Sequence, residues 1–177
     1  MYYNKYTNHV SRLFLQQTCV APDYVLCSKN KLDSLLEAFR NTITEYYGSN
    51  PQKSGSYGRI VSTRQFDRLK GLIDGCDPAQ IIIGGETDRD DLYIAPTIVS
   101  PVDPDTHILM QQEIFGPILP IIPVENMNEA IEIVNARYVV DFIFLLYKLL
   151  TKPNRDQPLA LYVFAGAKYN YNKSKFK

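Results

Sequence analysis

Short β-branched runs set between stretches of three-and-four periodicity constrain this chain more than any other feature. Tyr24-Val25-Leu26-Cys27 is a short apolar run that reads as a buried strand. From about Asn30 to Tyr47 the residues Leu32, Leu35, Leu36, Phe39, Ile43 and Tyr46 recur at intervals that put them on one face of a helix. Gly48 and Pro51 end it, because glycine accepts left-handed backbone and proline cannot continue the hydrogen-bond ladder. Ser62 predicts the cap of a second helix, with Gln65 reaching back as in a capping box and Phe66, Leu69, Leu72 and Ile73 as its inner face. Gly75 closes that helix. Ile81-Ile82-Ile83 is too short and too β-branched to prefer helix and supplies the next strand. Leu119 to Val124 is another strand, pushed towards a sheet edge by Pro120 and Pro123, which remove ladder donors. Asn126 with Glu129 starts a helix through Ala130, Ile131 and Val134, and Leu159 to Phe164 is the last strand. Strand alternating with helix argues for an α/β fold with a largely parallel sheet and flanking helices.

A chain of 177 residues suits one domain with a real core. Its 19 acidic and 19 basic residues cancel, so no net field recruits nucleic acid or an anionic membrane, and a small uncharged ligand is the better expectation. Cys19, Cys27 and Cys76 are odd in number and widely spaced, with no C-x-x-C pair and only two histidines, so neither a disulfide framework nor a metal site is indicated. The cytoplasm or another reducing compartment fits this usage. Met1 to Tyr6 is polar and tyrosine-rich, unlike a secretory signal. Tyr138 to Leu150 is broken by Asp141 and Lys148 and falls short of the roughly 20 residues that a membrane-spanning helix needs, so no membrane span is read. His9 and His107 read as solvated or structural, since nothing spaces them as ligands or as a base for Cys19. Gly84-Gly85 lacks the G-x-G-x-x-G pattern and precedes acidic residues, which makes it a turn rather than a phosphate cradle.

Two stretches carry chemistry. Gln17-Thr18-Cys19 offers a thiol, and Gln112-Glu113-Ile114-Phe115-Gly116-Pro117 offers a carboxylate with an adjacent aromatic on one tight loop. Taken alone, a cysteine is usually a small buried hydrophobe and Glu-x-Phe-Gly-Pro a surface turn; Cys27 and Cys76 keep that reading. In order with Ala21 to Leu26, Gly84 to Thr87, Tyr93 to Thr97, Met110 to Pro120 and Pro158 to Phe164, however, the two stretches resemble class 3 aldehyde dehydrogenases. The similarity covers approximately residues 16–137 and 158–164.

The resemblance implies an aldehyde dehydrogenase catalytic-domain-like fold, present in part, and an aldehyde substrate with NAD or NADP as cofactor. It implies that Cys19 is the nucleophile, forming a thiohemiacetal that gives up hydride and a thioester that water then cleaves. A free cysteine has a pKa of about 8.5, so such a site must favour the thiolate or place a base nearby. The resemblance further implies that Glu113 accepts hydrogen bonds from the nicotinamide ribose, that Phe115 packs against that end of the cofactor, and that full-length relatives form homo-oligomers.

A complete member of the family carries, ahead of its nucleophile, most of the dinucleotide fold, a general-base glutamate and an oxyanion asparagine; eighteen residues precede Cys19 here. Residues 1–15 match nothing in that portion, and Gln16 stands where the family places glycine. Residues 16–164 read as a partial catalytic domain interrupted by an insertion at 138–157, and 165–177 as a polar tail. The insertion, rich in aromatic and aliphatic residues and followed by the Lys/Asn/Tyr-rich tail, reads as translated noncoding sequence or a faulty gene model. Two classes stay open: an aldehyde dehydrogenase whose missing half comes from elsewhere, and a noncatalytic fragment that acts at most as an interaction partner. The expectation is no turnover by this chain alone.

Overall fold

The strand Ile118–Val124 (β6) is the centre of the molecule, and its side chains divide the interior into two. Ile118, Ile122 and Val124 enter one apolar cluster, whereas Leu119 and Ile121 enter another. That is the period-two alternation of a strand buried on both faces. The computed structural model describes residues 17, 18 and 21–136, and among them β6 lies inside a four-stranded sheet. Val25–Ser28 (β1) flanks it on one side, and Thr97–Val99 (β5) on the other. Ile81–Ile83 (β2) lies beyond β5. β1 and β5 both run parallel to β6, and β2 runs antiparallel to β5. The sheet is therefore mostly parallel, as expected.

The expected edge position of the proline-containing strand is overturned. Pro120 sits opposite Val99 of β5 and Pro123 opposite Cys27 of β1. Because successive peptide groups point to alternate sides of a strand, prolines three apart remove one donor from each neighbour rather than two from the same one. Each ladder survives a single gap. Just past β5, Val102 N–H still donates to Ile121 O at 3.1 Å.

Helix Leu32–Tyr47 (α1) covers one face, with Phe39 and Ile43 buried against Ile98, Leu119 and Ile121. Thr42 is also buried, and Tyr47 rather than Tyr46 joins the cluster, because the last turn rotates the stripe by one position. Gly48 ends the helix at φ 75, and its N–H donates to Thr44 O. The other face is covered by Thr63–Asp74 (α2) and Met127–Ala136 (α3). All four expected inner residues of α2 are buried. Ser62 caps it by accepting from Gln65 N–H, but the reciprocal half of the capping box is replaced, since Gln65 Oε1 accepts from Arg68 Nε at 2.8 Å. Gly75 closes α2 with a negative φ; a Cβ there would lie 2.7 Å from Ile108 Cδ1, so close packing, not left-handed backbone, calls for glycine. At α3, Asn126 Oδ1 accepts from the N–H groups of Asn128 and Glu129, while Glu129 reaches back to Glu125 N–H.

Gly84-Gly85 is not a chain reversal. Thr87–Asp88 (β3) and Tyr93–Ile94 (β4) form a hairpin that continues the β2–β5 pair, and Ala95 N–H donates to Glu86 O between the two ladders. The glycines bend this long hairpin, with φ of 76 and 96. A Cβ on Gly84 would fall 2.2 Å from Pro96 O. Leu159 to Phe164, residues 1–15, the insertion and the tail lie outside the described residues. Among the described residues no helix is long and apolar enough to cross a membrane.

Candidate active site

Cys19 lies outside the described residues, but the chain on both sides of it is anchored. Upstream, the carboxamide of Gln17 donates to Arg59 O at 3.1 Å and accepts from Val61 N–H at 3.0 Å. Downstream, Asp23 Oδ1 accepts from Ile114 N–H at 3.1 Å, a bond that spans 91 positions of sequence. Ala21 N–H donates to Thr18 O at 3.0 Å, so the described residues flanking positions 19 and 20 are bonded to each other.

The Asp23 bond matters because Ile114 follows Glu113. Glu113 stands exposed on the loop between the 3-10 turn Ile108–Met110 and β6, while Ile114 is wholly buried. Arg68, one residue before Leu69 on α2, completes the attachment: Nη1 donates to Glu113 O at 3.1 Å and Nη2 donates to Ile114 O. Burial pulls the Arg68 pKa down, opposed by the charges of Glu113 and Asp23. The guanidinium is thus the cation near both carboxylates. Two carbonyls and one amide of the loop are held, which leaves the Glu113 carboxylate presented from a fixed backbone.

Phe115 is half-buried at φ 51. A bulky side chain in left-handed backbone costs about 1–2 kcal/mol, so the surroundings must hold it there. They do so from both sides, through the bonds at Ile114 and through Gly116 O, which accepts from Ile118 N–H at 2.8 Å. The expected tight turn at Gly116-Pro117 is present, although the left-handed residue is Phe115. Gly116 is required for another reason, since a Cβ there would come within 2.5 Å of Leu69 Cδ1. Helix α2 therefore supplies both the clamp and the seat of the loop.

The other cysteines are unlike nucleophiles. Cys27 and Cys76 are buried, and burial raises both thiol pKa values, that of Cys76 to about 11. His107 is structural: Nδ1 accepts from Leu109 N–H, Nε2 lies 3.3 Å from Gln80 Oε1, and burial lowers its pKa.

Arg68 stands outside every motif, and the anchoring roles of Asp23 and Gln17 are not visible in the stretches that contain them. Each acts through partners 42 to 91 positions away, which no local pattern encodes. The one available hint was Arg68 itself, a charge set beside the apolar stripe of a short helix.

Glu113 is thus an exposed carboxylate on a loop whose backbone is clamped, a fixed hydrogen-bond acceptor open to solvent. A profile of the aldehyde dehydrogenase family matches residues 9–139. Aldehyde dehydrogenase family 3 member B1 of Rattus norvegicus is 46% identical over 149 residues, covering 84% of this chain and 27% of that protein. The human member B1 is 45% identical over 151 residues, covering 85% and 28%. Among solved structures, a substrate-bound Staphylococcus aureus AldH superposes with a TM-score of 0.68 at 39% identity, covering 73% of this chain and 30% of the other. A Mycobacterium tuberculosis aldehyde dehydrogenase complexed with NAD+ gives 0.61 at 29% identity, covering 71% and 28%. The chain spans little more than a quarter of the length of these curated relatives. With the family profile matched over residues 9–139 and relatives 45% and 46% identical over most of its length, the chain belongs to the aldehyde dehydrogenase family.

Proposed function

We propose that this chain forms part of an NAD(P)-dependent aldehyde dehydrogenase that oxidises an aldehyde to a carboxylic acid, with Cys19 as nucleophile. The observation that carries the reading is the Asp23 to Ile114 hydrogen bond, which ties the segment after Cys19 to the loop that presents Glu113. In this mechanism the Cys19 thiolate adds to the aldehyde carbon, and the carbonyl electron pair moves onto oxygen to give a thiohemiacetal anion. That carbon must then give up hydride, and a dinucleotide held at Glu113 and Phe115 would supply the two-electron acceptor. The carbonyl re-forms as a thioester. Water then cleaves the carbon–sulfur bond, releasing the acid and returning the thiol.

Glu113 holds the ribose hydroxyls, and Phe115 packs beside that end of the cofactor. The general-base glutamate and the oxyanion asparagine that the family carries ahead of its nucleophile would complete the site. Loss of one oxyanion donor costs about a hundredfold to a thousandfold in rate, and loss of a base a comparable factor, so the chain by itself is expected not to turn over. Assembly as a homo-oligomer and residence in the cytoplasm or another reducing compartment belong to the same reading.

The test uses the purified chain with an aldehyde and NAD or NADP, followed at the reduced-nicotinamide absorbance band, alongside haloacetamide labelling mapped by mass spectrometry. Rapid labelling of Cys19 without reduced cofactor supports a competent thiol in a partial site. Sustained reduction would overturn the expectation of no turnover. Labelling of Cys19 no faster than of buried Cys27 and Cys76 would remove the nucleophile assignment and favour a noncatalytic interaction partner.

A further inference from the structure

The backbone around Ile60 lies outside any strand yet is bonded to two partners, one of which is a side chain. Ile60 N–H donates to Leu92 O at 2.9 Å, on the side of the β3–β4 hairpin. Arg59 O, opposed to Ile60 N–H across their shared trans peptide group, and Val61 N–H have a different partner. The Gln17 carboxamide meets both, its NH2 donating to Arg59 O and its oxygen accepting from Val61 N–H. A carboxamide has the donor and acceptor of a peptide group, so it occupies the place of one rung of a neighbouring strand.

The receiving segment is rigid. Arg59 pairs with Asp91 at 2.7 Å, donates to Gln52 O at 2.6 Å and lies 5.2 Å over the Tyr93 ring. Tyr57, buried beneath it, donates its hydroxyl to Ile94 O at 2.7 Å. Val61, by contrast, is 77% exposed, so the contact with Gln17 buries little apolar surface and contributes direction rather than core.

We propose that Gln17 is the positioning residue for the nucleophile: by bridging Arg59 O and Val61 N–H as a peptide mimic, it anchors the chain two residues before Cys19. This rests on the assignment of Cys19 as nucleophile. Asp23, which accepts from Ile114 N–H, anchors the chain four residues after it.

The experiment compares the full chain with Gln17→Met, which keeps length and removes both hydrogen bonds, and Gln17→Glu, which keeps only the acceptor. Haloacetamide rates at Cys19 are read by mass spectrometry from pH 6 to 9, with Cys27 and Cys76 as internal references, and amide exchange is read at Val61. Two lost bonds predict a fall of roughly tenfold in Cys19 rate for Gln17→Met, a smaller fall for Gln17→Glu, and faster exchange at Val61 in the methionine variant. A merely structural role would move all three cysteines together and leave their ratio unchanged. A reactive Cys19 whose rate, pH profile and ratio survive Gln17→Met overturns the positioning role and leaves the nucleophile assignment intact. An unreactive Cys19 in the unaltered chain overturns that assignment and, with it, this one.

Discussion

Replacing Arg68 with methionine keeps most of the stem that packs along α2 and removes the guanidinium that clamps the Glu113 loop. Two hydrogen bonds disappear, to Glu113 O and Ile114 O. A bond from a charged donor is worth about 1.5–3 kcal/mol, but the two carbonyls are not equivalent. Glu113 is exposed and its carbonyl regains water, so its share falls towards zero, whereas Ile114 is wholly buried and its carbonyl stays dry. Releasing the guanidinium from burial returns part of the loss. The net cost is about 1.5 kcal/mol, carried almost entirely by the Ile114 carbonyl. In urea, with a slope of about 1.5 kcal/mol/M for a chain of this size, the midpoint drops by about 1 M. Amide exchange should also accelerate at Ile114, whose N–H then relies on Asp23 alone to hold the loop. A midpoint shifted by less than about 0.2 M, with unchanged exchange at Ile114, would show that α2 does not hold this loop and that the clamp is incidental.

Gly84→Ala places a methyl 2.2 Å from Pro96 O at φ 76, and thermal unfolding should show a loss of about 3 kcal/mol or more; a near-normal melting temperature would refute the bent-hairpin account. Glu113→Gln changes an exposed side chain, so stability should stay within about 0.5 kcal/mol. In an assembly that turns over, the same variant should lose about tenfold or more in rate, and unaltered kinetics would remove Glu113 from the cofactor site. The Cys76 thiol has its pKa raised from 9.0 to about 11, so its contribution to stability is fully present below about pH 9 and is lost as pH rises towards 11. Cys27 shifts in the same direction, and the phenol of Tyr57, raised well above 10.0, adds its own loss only at higher pH. Urea titrations from pH 8 to 10 should therefore weaken in the unaltered chain and flatten in Cys76→Ala; identical slopes would show that this burial does not govern the thiol.

Periodicity sufficed for the helices because their signals are local. The four inner residues of α2 and the cap at Ser62 are legible in a dozen consecutive residues, and each is found as expected. The exceptions have physical causes. Pro120 and Pro123 signalled an edge only while their missing amides were counted together, and their spacing of three sends them to different neighbours. Gly84 and Gly85 signalled a reversal, whereas the left-handed backbone they permit serves a bend between two ladders of one hairpin. Glu113 and Phe115 were legible as a motif, but not the forced backbone of Phe115, nor the bonds from Arg68 and Asp23 that hold the loop. Those arise from tertiary contacts that cross as many as 91 positions.

The residues that fill the α1 side of the sheet, Phe39 and Ile43 against Leu119 and Ile121, form a cluster separate from the one that holds Ile114 and Leu69, and Leu69 lies directly beneath Gly116. Phe39 should therefore accept another hydrophobe of similar bulk at little cost, whereas a single methyl added at Gly116 meets the floor of the Glu113 loop at once.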